Sequence, residues 1–368
     1  MIGSPSSDND AIRVLDLFSG AGGLSAGLKA ASSRFKTIRA VEHDKAAAAT
    51  YGENFDPQSV FTGKIEDWLK SDEIPSADLV IGGPPCQGFS ALGKQDQLDD
   101  RNQLWLQYAE TIRNAEPQYF VLENVPQFLT SVQFDQFKRQ CESSEQLGAY
   151  SFQAAILNSA DYGAAQVRKR VILIGHHRDL PFPGFPVPTH AKVADDEHKK
   201  WRTLGDALKG LPEGVTDIDL PDRKIEVGSI VLPGAFKTSE LHLSRRYEQI
   251  SLDRFRNIPA KGNRFDIPED LLSACWKKHK TGSGDVMGRL DFEKPSVTIR
   301  TEFFKPEKGR YLHPRENRAI THHEAARIQG FPDDYKWVGS KTAIAKQIGN
   351  AVPIPLAQSI GSHLAALL

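Results

Sequence analysis

The stretch Arg13-Val14-Leu15-Asp16-Leu17-Phe18-Ser19-Gly20-Ala21-Gly22-Gly23-Leu24 predicts the fold of this chain. Its first six residues form an apolar run with the length of a buried strand, and the small residues that continue to about Ala31 favour a helix. Glycines between a strand and a helix let the backbone approach a ligand closely at the helix N-terminus. The stretch therefore predicts the first strand, turn and helix of an open α/β sheet, with a ligand site at the turn.

Strand-like and helix-like segments keep alternating through the first half of the chain. Apolar runs predict strands at residues 37–41, 78–81, 118–122 and 170–174, and helices fit residues 44–54 and 104–115. Such alternation is typical of a mainly parallel sheet that is covered by helices on both faces. We therefore expect an α/β domain at residues 12–180, after a disordered lead-in at residues 1–11.

The alternation of strand-like and helix-like segments ends at the proline-rich stretch 180–188, which predicts a rigid connector. Residues 181–295 show short strand-like runs, turns and scattered basic residues, which predicts a second, smaller domain of mostly irregular and β structure. Regular structure is expected to return over residues 296–368. There Thr321 and Glu324 have the spacing of a capping box at the start of a helix, and an apolar helix ends the chain.

Composition and charge favour an intracellular enzyme. Of the 368 residues, 39% are hydrophobic and 25% are charged, which is ordinary for a globular protein, and no run resembles a signal peptide or a membrane span. Three cysteines at unrelated spacings fit neither a disulfide framework nor a zinc site, so no metal is expected. The net charge of −1 divides into −8 over residues 1–160 and +7 over residues 161–368. A basic half is consistent with a face that meets a polyanion, and an ordinary solvated surface explains it equally well.

A cysteine stands just beyond the predicted strand 78–81, in the segment Gly82-Gly83-Pro84-Pro85-Cys86-Gln87-Gly88-Phe89-Ser90. The two prolines fix the approach to the thiol, and Gly88 lets the chain turn away from it. Ligands of open α/β sheets bind at this position, so a nucleophile with room for a substrate is favoured over a buried core cysteine.

Two acidic residues stand at other strand ends. Glu42 follows Gly20 by 22 residues, where a carboxylate would meet ribose hydroxyls. A dinucleotide fingerprint requires a third glycine at position 25, where this chain has Ser25, so a nucleoside cofactor without pyrophosphate fits better. Glu123 directly follows the predicted strand 118–122 and would lie over the same crevice as Cys86. The alternative for Glu123 is a surface or capping residue.

Arg168 lies just before the predicted strand 170–174 and Arg170 begins it, so the two would lie on one side of an extended chain. Their guanidinium groups could hold a polar ring substituent or a phosphate. A solvated edge is the alternative.

Together these residues resemble the DNA (cytosine-5)-methyltransferases of bacteria. The resemblance covers nearly all of the chain outside the inserted region, and the order and spacing of its motifs are specific. The matching segments are residues 16–23, 42–44, 83–90, 123–125, 166–170, 318–332 and 347–353.

The resemblance implies a Rossmann-like S-adenosylmethionine-dependent methyltransferase sheet at residues 12–180 and a target recognition domain at residues 181–295. Residues 296–368 would return to the first domain, with the C-terminal helix packed on it. The implied partner is double-stranded DNA, and a cytoplasmic monomer of a restriction-modification system is expected. The catalytic residues would be Cys86, Glu123, Arg168 and Arg170. The residues expected to contact S-adenosylmethionine are Phe18, Gly20, Ala21, Gly22, Gly23, Glu42, His43, Ile65, Pro84, Leu104, Asn350 and Ala351.

The chain departs from the family at Lys64, where an acidic residue commonly reaches the adenine amino group. The apolar contact from Ile65 would remain. The implied chemistry is attack of the Cys86 thiolate on cytosine C6, which makes C5 nucleophilic toward a methyl group. Glu123 would neutralise the charge that develops at N3, and Arg168 or Arg170 would stabilise the charge at O2. The base would have to flip out of the duplex. Residues 87–102 have the glycines and polar tips of a lid over DNA, or of a long surface loop.

Three other functions compete with DNA methylation. RNA cytosine-5 methylation would use the same catalytic residues, but the insertion at 181–295 favours duplex DNA. A catalytically silent DNA-binding homologue is disfavoured by retention of the catalytic residues, and a nicotinamide oxidoreductase is disfavoured by Ser25. Side chains that could read bases in the second domain are Arg245, Arg246, Arg254, Arg256, Asn263, Arg264, Lys277, Lys278 and Arg289.

Overall fold

A computed structural model describes residues 10–71, 73–85, 104–143, 146–278 and 281–368, and its elements follow the predicted alternation. The strands are β1 (Ile12–Leu17), β2 (Phe35–Glu42), β3 (Val60–Thr62), β4 (Leu79–Gly82), β5 (Tyr119–Asn124), β6 (Tyr150–Asn158), β7 (Lys169–His177), β8 (His190–Ala191), β9 (Lys199–Lys200), β10 (Lys224–Val227), β11 (Ile230–Pro233), β12 (Phe236–Lys237) and β13 (Lys336–Trp337). The α-helices are α1 (Gly23–Ala31), α2 (Lys45–Asn54), α3 (Ile65–Ser71), α4 (Leu104–Ala115), α5 (Val132–Glu142), α6 (Leu204–Leu208), α7 (Gln249–Arg256), α8 (Ala274–Lys278), α9 (His322–Gln329), α10 (Lys341–Asn350) and α11 (Ile354–Ala365).

Among the described residues, one sheet of seven strands has the order β3-β2-β1-β4-β5-β7-β6. The pairs from β3 through β5 are parallel, and β7 is antiparallel to both β5 and β6. The strand order runs in one direction from β1 through β2 to β3 and in the other direction from β4 to β5, so it reverses between β1 and β4. Open α/β sheets bind ligands in the crevice at the carboxyl ends of the strands at such a reversal. The expected α/β sheet is therefore confirmed, with an antiparallel edge added to its parallel centre.

Apolar clusters cover both faces of the sheet. One face packs around Trp68, Tyr108 and Phe137, and the other face packs under α1 and α11. Helices α1 and α11 approach so closely that a Cβ atom at Gly27 would lie 2.2 Å from the Cβ of Ala357. The C-terminal helix thereby lies against the first strand–turn–helix unit of the chain.

The chain forms two compact units. The first unit comprises Met1–Tyr162, Lys169–Pro188 and Val352–Leu368, and the second comprises Gly163–Arg168 and Thr189–Ala351. Residues 296–351 belong to the second unit, and the short segment Gly163–Arg168 bonds to residues 296–299 within it. In that bonding, Ser296 N donates to Ala165 O at 2.8 Å and Val167 N donates to Ser296 O at 2.9 Å.

The second unit contains two-stranded ribbons and short helices, as its turn-rich sequence predicts. Its helix α9 begins with the predicted capping box, in which Thr321 and Glu324 bond each other's backbone N–H groups. A small apolar cluster around Phe255, Met287 and Leu312 packs beneath α7. Among the described helices, none is both long and apolar enough to cross a membrane.

Candidate active site

The turn after β1 has the backbone conformation that its glycines allow. Gly20 has φ of 55° and Gly22 has φ of 86°, a left-handed region where side chains are disfavoured. Phe18 also has a positive φ, 56°, which is uncommon for a residue with a side chain and often marks a functional turn. Gly22 is the N-cap of α1, and Gly23 is its first residue. The turn therefore lies at the N-terminus of a helix, which is a favourable position for a polar ligand.

Glu42 fastens this turn to the end of β2. One carboxylate oxygen accepts Gly20 N–H at 2.8 Å, and the other accepts Asp44 N–H at 2.7 Å. The neighbouring His43 ring also bonds Glu42, at 3.1 Å, and this bond raises the pKa of His43. Glu42 is buried while the side chain of His43 is mostly exposed. A carboxylate so fixed still has lone pairs to accept hydroxyl groups of a sugar.

Ser25, which replaces the third fingerprint glycine, belongs to a buried hydrogen-bond network. Its hydroxyl donates to the Asp16 carboxyl at 2.6 Å and accepts from the Tyr51 hydroxyl at 2.8 Å. Burial raises the pKa of Asp16 to about 7, and the nearby Glu42 carboxylate adds to the increase. The network joins β1, α1 and α2 directly beneath the glycine turn. Sequence reasoning missed Asp16, although a carboxyl within an apolar strand was its signal.

Glu123 and Arg170 form an ion pair at the end of β5. Arg170 Nε lies 2.9 Å from a Glu123 oxygen, and both side chains are largely buried. Strand β5 extends through Asn124, so Glu123 lies in the strand and not after it as predicted. The register pairs Asn124 with Val171, which leaves Arg170 diagonal to Glu123. A paired carboxylate and guanidinium at a strand end can form hydrogen bonds with neighbouring ring atoms of one polar substrate.

The loop after β4 passes directly beside this ion pair. A Cβ atom at Gly83 would lie 3.0 Å from Glu123 Oε2, so glycine leaves this approach open. The Asn124 side chain donates to the carbonyl of Pro84 at 3.1 Å and accepts Val125 N–H at 2.8 Å. Asn124 therefore holds the segment that leads toward Cys86. Its role was not predicted, although an amide directly after Glu123 was the available signal.

Cys86 lies outside the described residues, as does the predicted lid at residues 87–102. The chain is described as far as Pro85, so its approach to the predicted nucleophile is visible. The catalytic role of Cys86 stays a prediction.

Arg168 has different partners from Arg170. Its two terminal nitrogens donate to Ile299 O at 2.8 Å and to Gly349 O at 2.9 Å, and the side chain is buried. Strand β7 begins at Lys169, so the two arginines do not share one face of a strand. The structure thus brings Arg170 to Glu123 and bonds Arg168 to main-chain carbonyls of the second unit.

The remaining predicted cofactor residues lie at element ends. Ile65 begins α3 and is buried, and Leu104 begins α4. The side chain of Lys64 is exposed just before α3, where the family commonly has an acidic residue. Asn350 is the exposed last residue of α10, and Ala351 is its C-cap.

Several candidate base readers prove to be internal supports. Arg289 is buried and donates to the carbonyls of Phe255, Ile258, His313 and Glu316. Arg264 is also buried and donates to Thr281 O. Other candidates, including Arg246, Lys277 and Lys278, have exposed side chains.

Three comparisons with known proteins bear on this geometry. The model of the C-5 cytosine-specific DNA methylase family matches residues 12–366. The chain is 33% identical over 358 residues to the Type II methyltransferase M1.HphI of Haemophilus parahaemolyticus, covering 94% of this chain and 84% of that protein. It is 32% identical over 368 residues to the Type II methyltransferase M.NgoFVII of Neisseria gonorrhoeae, covering 98% and 89%. A solved structure of a proposed DNA modification methyltransferase from an Escherichia coli prophage has a TM-score of 0.71 at 25% identity, covering 97% and 99%.

Proposed function

The chain belongs to the C-5 cytosine-specific DNA methylase family, and we propose that it methylates C5 of a flipped cytosine in a specific double-stranded DNA sequence. Family membership makes the chain a DNA (cytosine-5-)-methyltransferase. The single observation that carries the finer proposal is the Glu123–Arg170 pair, which lies beside the loop leading to Cys86.

The chemistry follows from the weak nucleophilicity of cytosine C5. Attack of the Cys86 thiolate on C6 moves ring electrons toward N3 and O2 and makes C5 an enamine carbon. Glu123 would share a proton with N3, and Arg170 would donate to O2, so each developing charge meets a group already in place. A base then removes the C5 proton of the methylated ring, and the C6–sulfur bond breaks to return Cys86.

S-adenosylmethionine would supply the methyl group as an electrophilic sulfonium substituent. The residues present fit a nucleoside cofactor, because the glycine turn lies at the N-terminus of α1 and Glu42 presents a fixed carboxylate beside it. Ser25 and the Asp16 network fill the place where a pyrophosphate-binding turn has its third glycine. The proposed contacts are Phe18, Gly20, Ala21, Gly22, Gly23, Glu42, His43, Ile65, Pro84, Leu104, Asn350 and Ala351.

We assign DNA recognition to residues 181–295, which carry exposed basic side chains among short ribbons and turns. The Type II relatives support a role in a restriction-modification system, and a cytoplasmic monomer is part of the same proposal.

Trapping the covalent intermediate tests the proposal. Wild-type protein with S-adenosylmethionine should form a denaturant-stable adduct with duplex DNA that contains 5-fluorocytosine, because fluorine at C5 blocks proton removal and release of the thiol. Cys86→Ala should form no adduct and transfer no methyl group, while Cys141→Ala, a change at a buried cysteine of α5 outside the proposed recognition region, should still form the adduct. Substantial turnover by Cys86→Ala would show that the nucleophile is misassigned.

A further inference from the structure

A buried polar network in the second unit surrounds the end of α10. Gln166, Arg168 and Gln329 are each almost completely buried, although their side chains are polar or charged. Buried groups of this kind are costly unless they are hydrogen-bonded, so their partners indicate what they maintain. In this network the partners include backbone groups of Ile299 and of residues 348–351.

Gln166 links two segments that are far apart in sequence. Its side-chain oxygen accepts Ile299 N–H at 3.0 Å, and its side-chain nitrogen donates to the Gln329 side chain. The backbone on either side is paired as well, because Thr298 Oγ1 donates to Val167 O at 2.9 Å. Residues 166–168 are therefore bonded along residues 296–299.

Gln329 and Arg168 carry this connection to the last turn of α10. Gln329 Nε2 donates to Ile348 O at 2.6 Å and to Ala351 O at 3.3 Å. Arg168 donates to Gly349 O at 2.9 Å and to Ile299 O at 2.8 Å, so one guanidinium joins the helix end to the neighbouring segment. The carbonyls of Ile348, Gly349 and Ala351 lie at the C-terminus of α10, where a helix leaves its last carbonyl groups without partners of its own.

The contact at Gly349 confirms how closely the two segments approach. A Cβ atom there would lie 2.5 Å from the backbone of Arg300 and Thr301. The helix end is thus confined by backbone on one side and by the Arg168 and Gln329 side chains through their hydrogen bonds. Asn350 follows directly and is exposed.

We propose that Arg168 and Gln329 are positioning residues that fix Gly349–Ala351 in the conformation that binds the cofactor. The inference rests on the proposed function, which assigns cofactor contacts to Asn350 and Ala351. It divides the two arginines by role: Arg170 serves the cytosine, and Arg168 acts through the helix end.

Cofactor affinity measured without DNA separates these roles. Full-length protein is titrated calorimetrically with S-adenosylhomocysteine, the reaction product. Arg168→Met removes both carbonyl bonds and should raise the dissociation constant at least tenfold. Arg168→Lys keeps the charge and can reach one carbonyl, so it should recover part of the affinity. Gln329→Met should weaken binding in the same direction and replaces Arg168→Met if that variant does not fold.

Arg310→Met is the matched control. Arg310 also donates to main-chain carbonyls of the second unit, at Gly262, Gly284 and Arg289, and among the described residues none of its bonds reaches residues 348–351. Its substitution should lower the thermal midpoint and leave the dissociation constant within twofold, measured where each protein is fully folded.

Two results would overturn the positioning role. One is an unchanged dissociation constant in Arg168→Met and Gln329→Met with a lower single-turnover rate at saturating cofactor, which would make Arg168 a catalytic residue. The other is equal weakening in Arg310→Met, which would reduce the effect to general destabilisation. If wild-type protein itself fails to bind S-adenosylhomocysteine, the cofactor assignment of the proposed function fails instead.

Discussion

Glu42→Gln is expected to weaken both the glycine turn and cofactor binding. The native carboxylate accepts two backbone N–H groups, from Gly20 at 2.8 Å and Asp44 at 2.7 Å, and it is buried. Glutamine offers one oxygen and one NH₂ group, so one of the two backbone donors loses its acceptor in either orientation. A hydrogen bond to a charged group contributes about 1.5–3 kcal/mol, so we expect unfolding free energy to fall by about 2 kcal/mol.

The effect on binding adds to this structural loss. If Glu42 accepts the ribose hydroxyls, the loss of a charged acceptor should cost about 1.4–2.7 kcal/mol, which is roughly a 10- to 100-fold higher dissociation constant. Glu42→Ala removes both acceptors and should lower stability further than glutamine does. Calorimetric titration with S-adenosylhomocysteine measures the affinity, and urea unfolding without ligand measures the stability.

Glu110→Gln provides the matched control, since Glu110 is an exposed carboxylate on α4 in the same unit. Neither its stability nor its affinity should change measurably. A Glu42→Gln protein that loses stability but binds within twofold of wild type would show that Glu42 supports the turn only. A protein unchanged in both measurements would refute the reasoning from the two backbone bonds.

Three further predictions follow from particular contacts. Arg170→Met should lower the single-turnover rate about 100-fold or more while cofactor affinity stays within twofold, because the change removes the proposed donor to O2 and the ion-pair partner of Glu123. A rate within threefold of wild type would exclude that role. Gly175→Ala should lower the unfolding free energy by about 3 kcal/mol, because a Cβ atom there would lie 2.0 Å from the buried ring of Phe120 in β5. Urea unfolding measures the effect. Gly214→Ala is the control and should be neutral, because open space surrounds that position. Burial lowers the pKa of His322 to about 4, so the unfolded chain binds a proton at this histidine more readily than the folded protein, and stability falls as pH drops below about 6.5. In His322→Gln the difference in unfolding free energy between pH 7.5 and pH 5.5 should therefore be about 1 kcal/mol smaller than in wild type. An unchanged difference would contradict the lowered pKa.

The strand ends of the first unit were predictable because burial there has a simple sequence pattern. Apolar runs mark β1, β2, β4 and β5 within a few residues, and parallel strands place their carboxyl ends at one edge of the sheet. The places of Glu42 and Glu123 at the ends of strands could therefore be predicted from position alone. The bond from Glu42 to Gly20 could not, because it depends on the left-handed turn that brings that N–H group inward.

The different partners of Arg168 and Arg170 could not be predicted from the sequence pattern. Two residues apart on an extended chain, they were expected to share a face. Strand β7 begins between them, and Arg168 pairs with carbonyls 131 and 181 residues away along the chain. Periodicity describes which side of a strand a residue faces, and it contains no information on partners at such separations.

The basic second half of the chain overstates the charge that can face DNA. Its turn-rich second unit has few strand ladders, so many backbone carbonyls need other donors, and arginine supplies several in a fixed planar arrangement. The Arg289 guanidinium donates to four carbonyls and to the Asn317 side chain. Arg310 donates to the carbonyls of four loop residues. Burial lowers the pKa of Arg289, which is the direction expected for a charge removed from water to serve the fold. Part of the positive charge in this unit therefore supports the fold. If the unit meets DNA as proposed, the electrostatic part of the affinity has to come from exposed side chains such as Arg246 and Lys277.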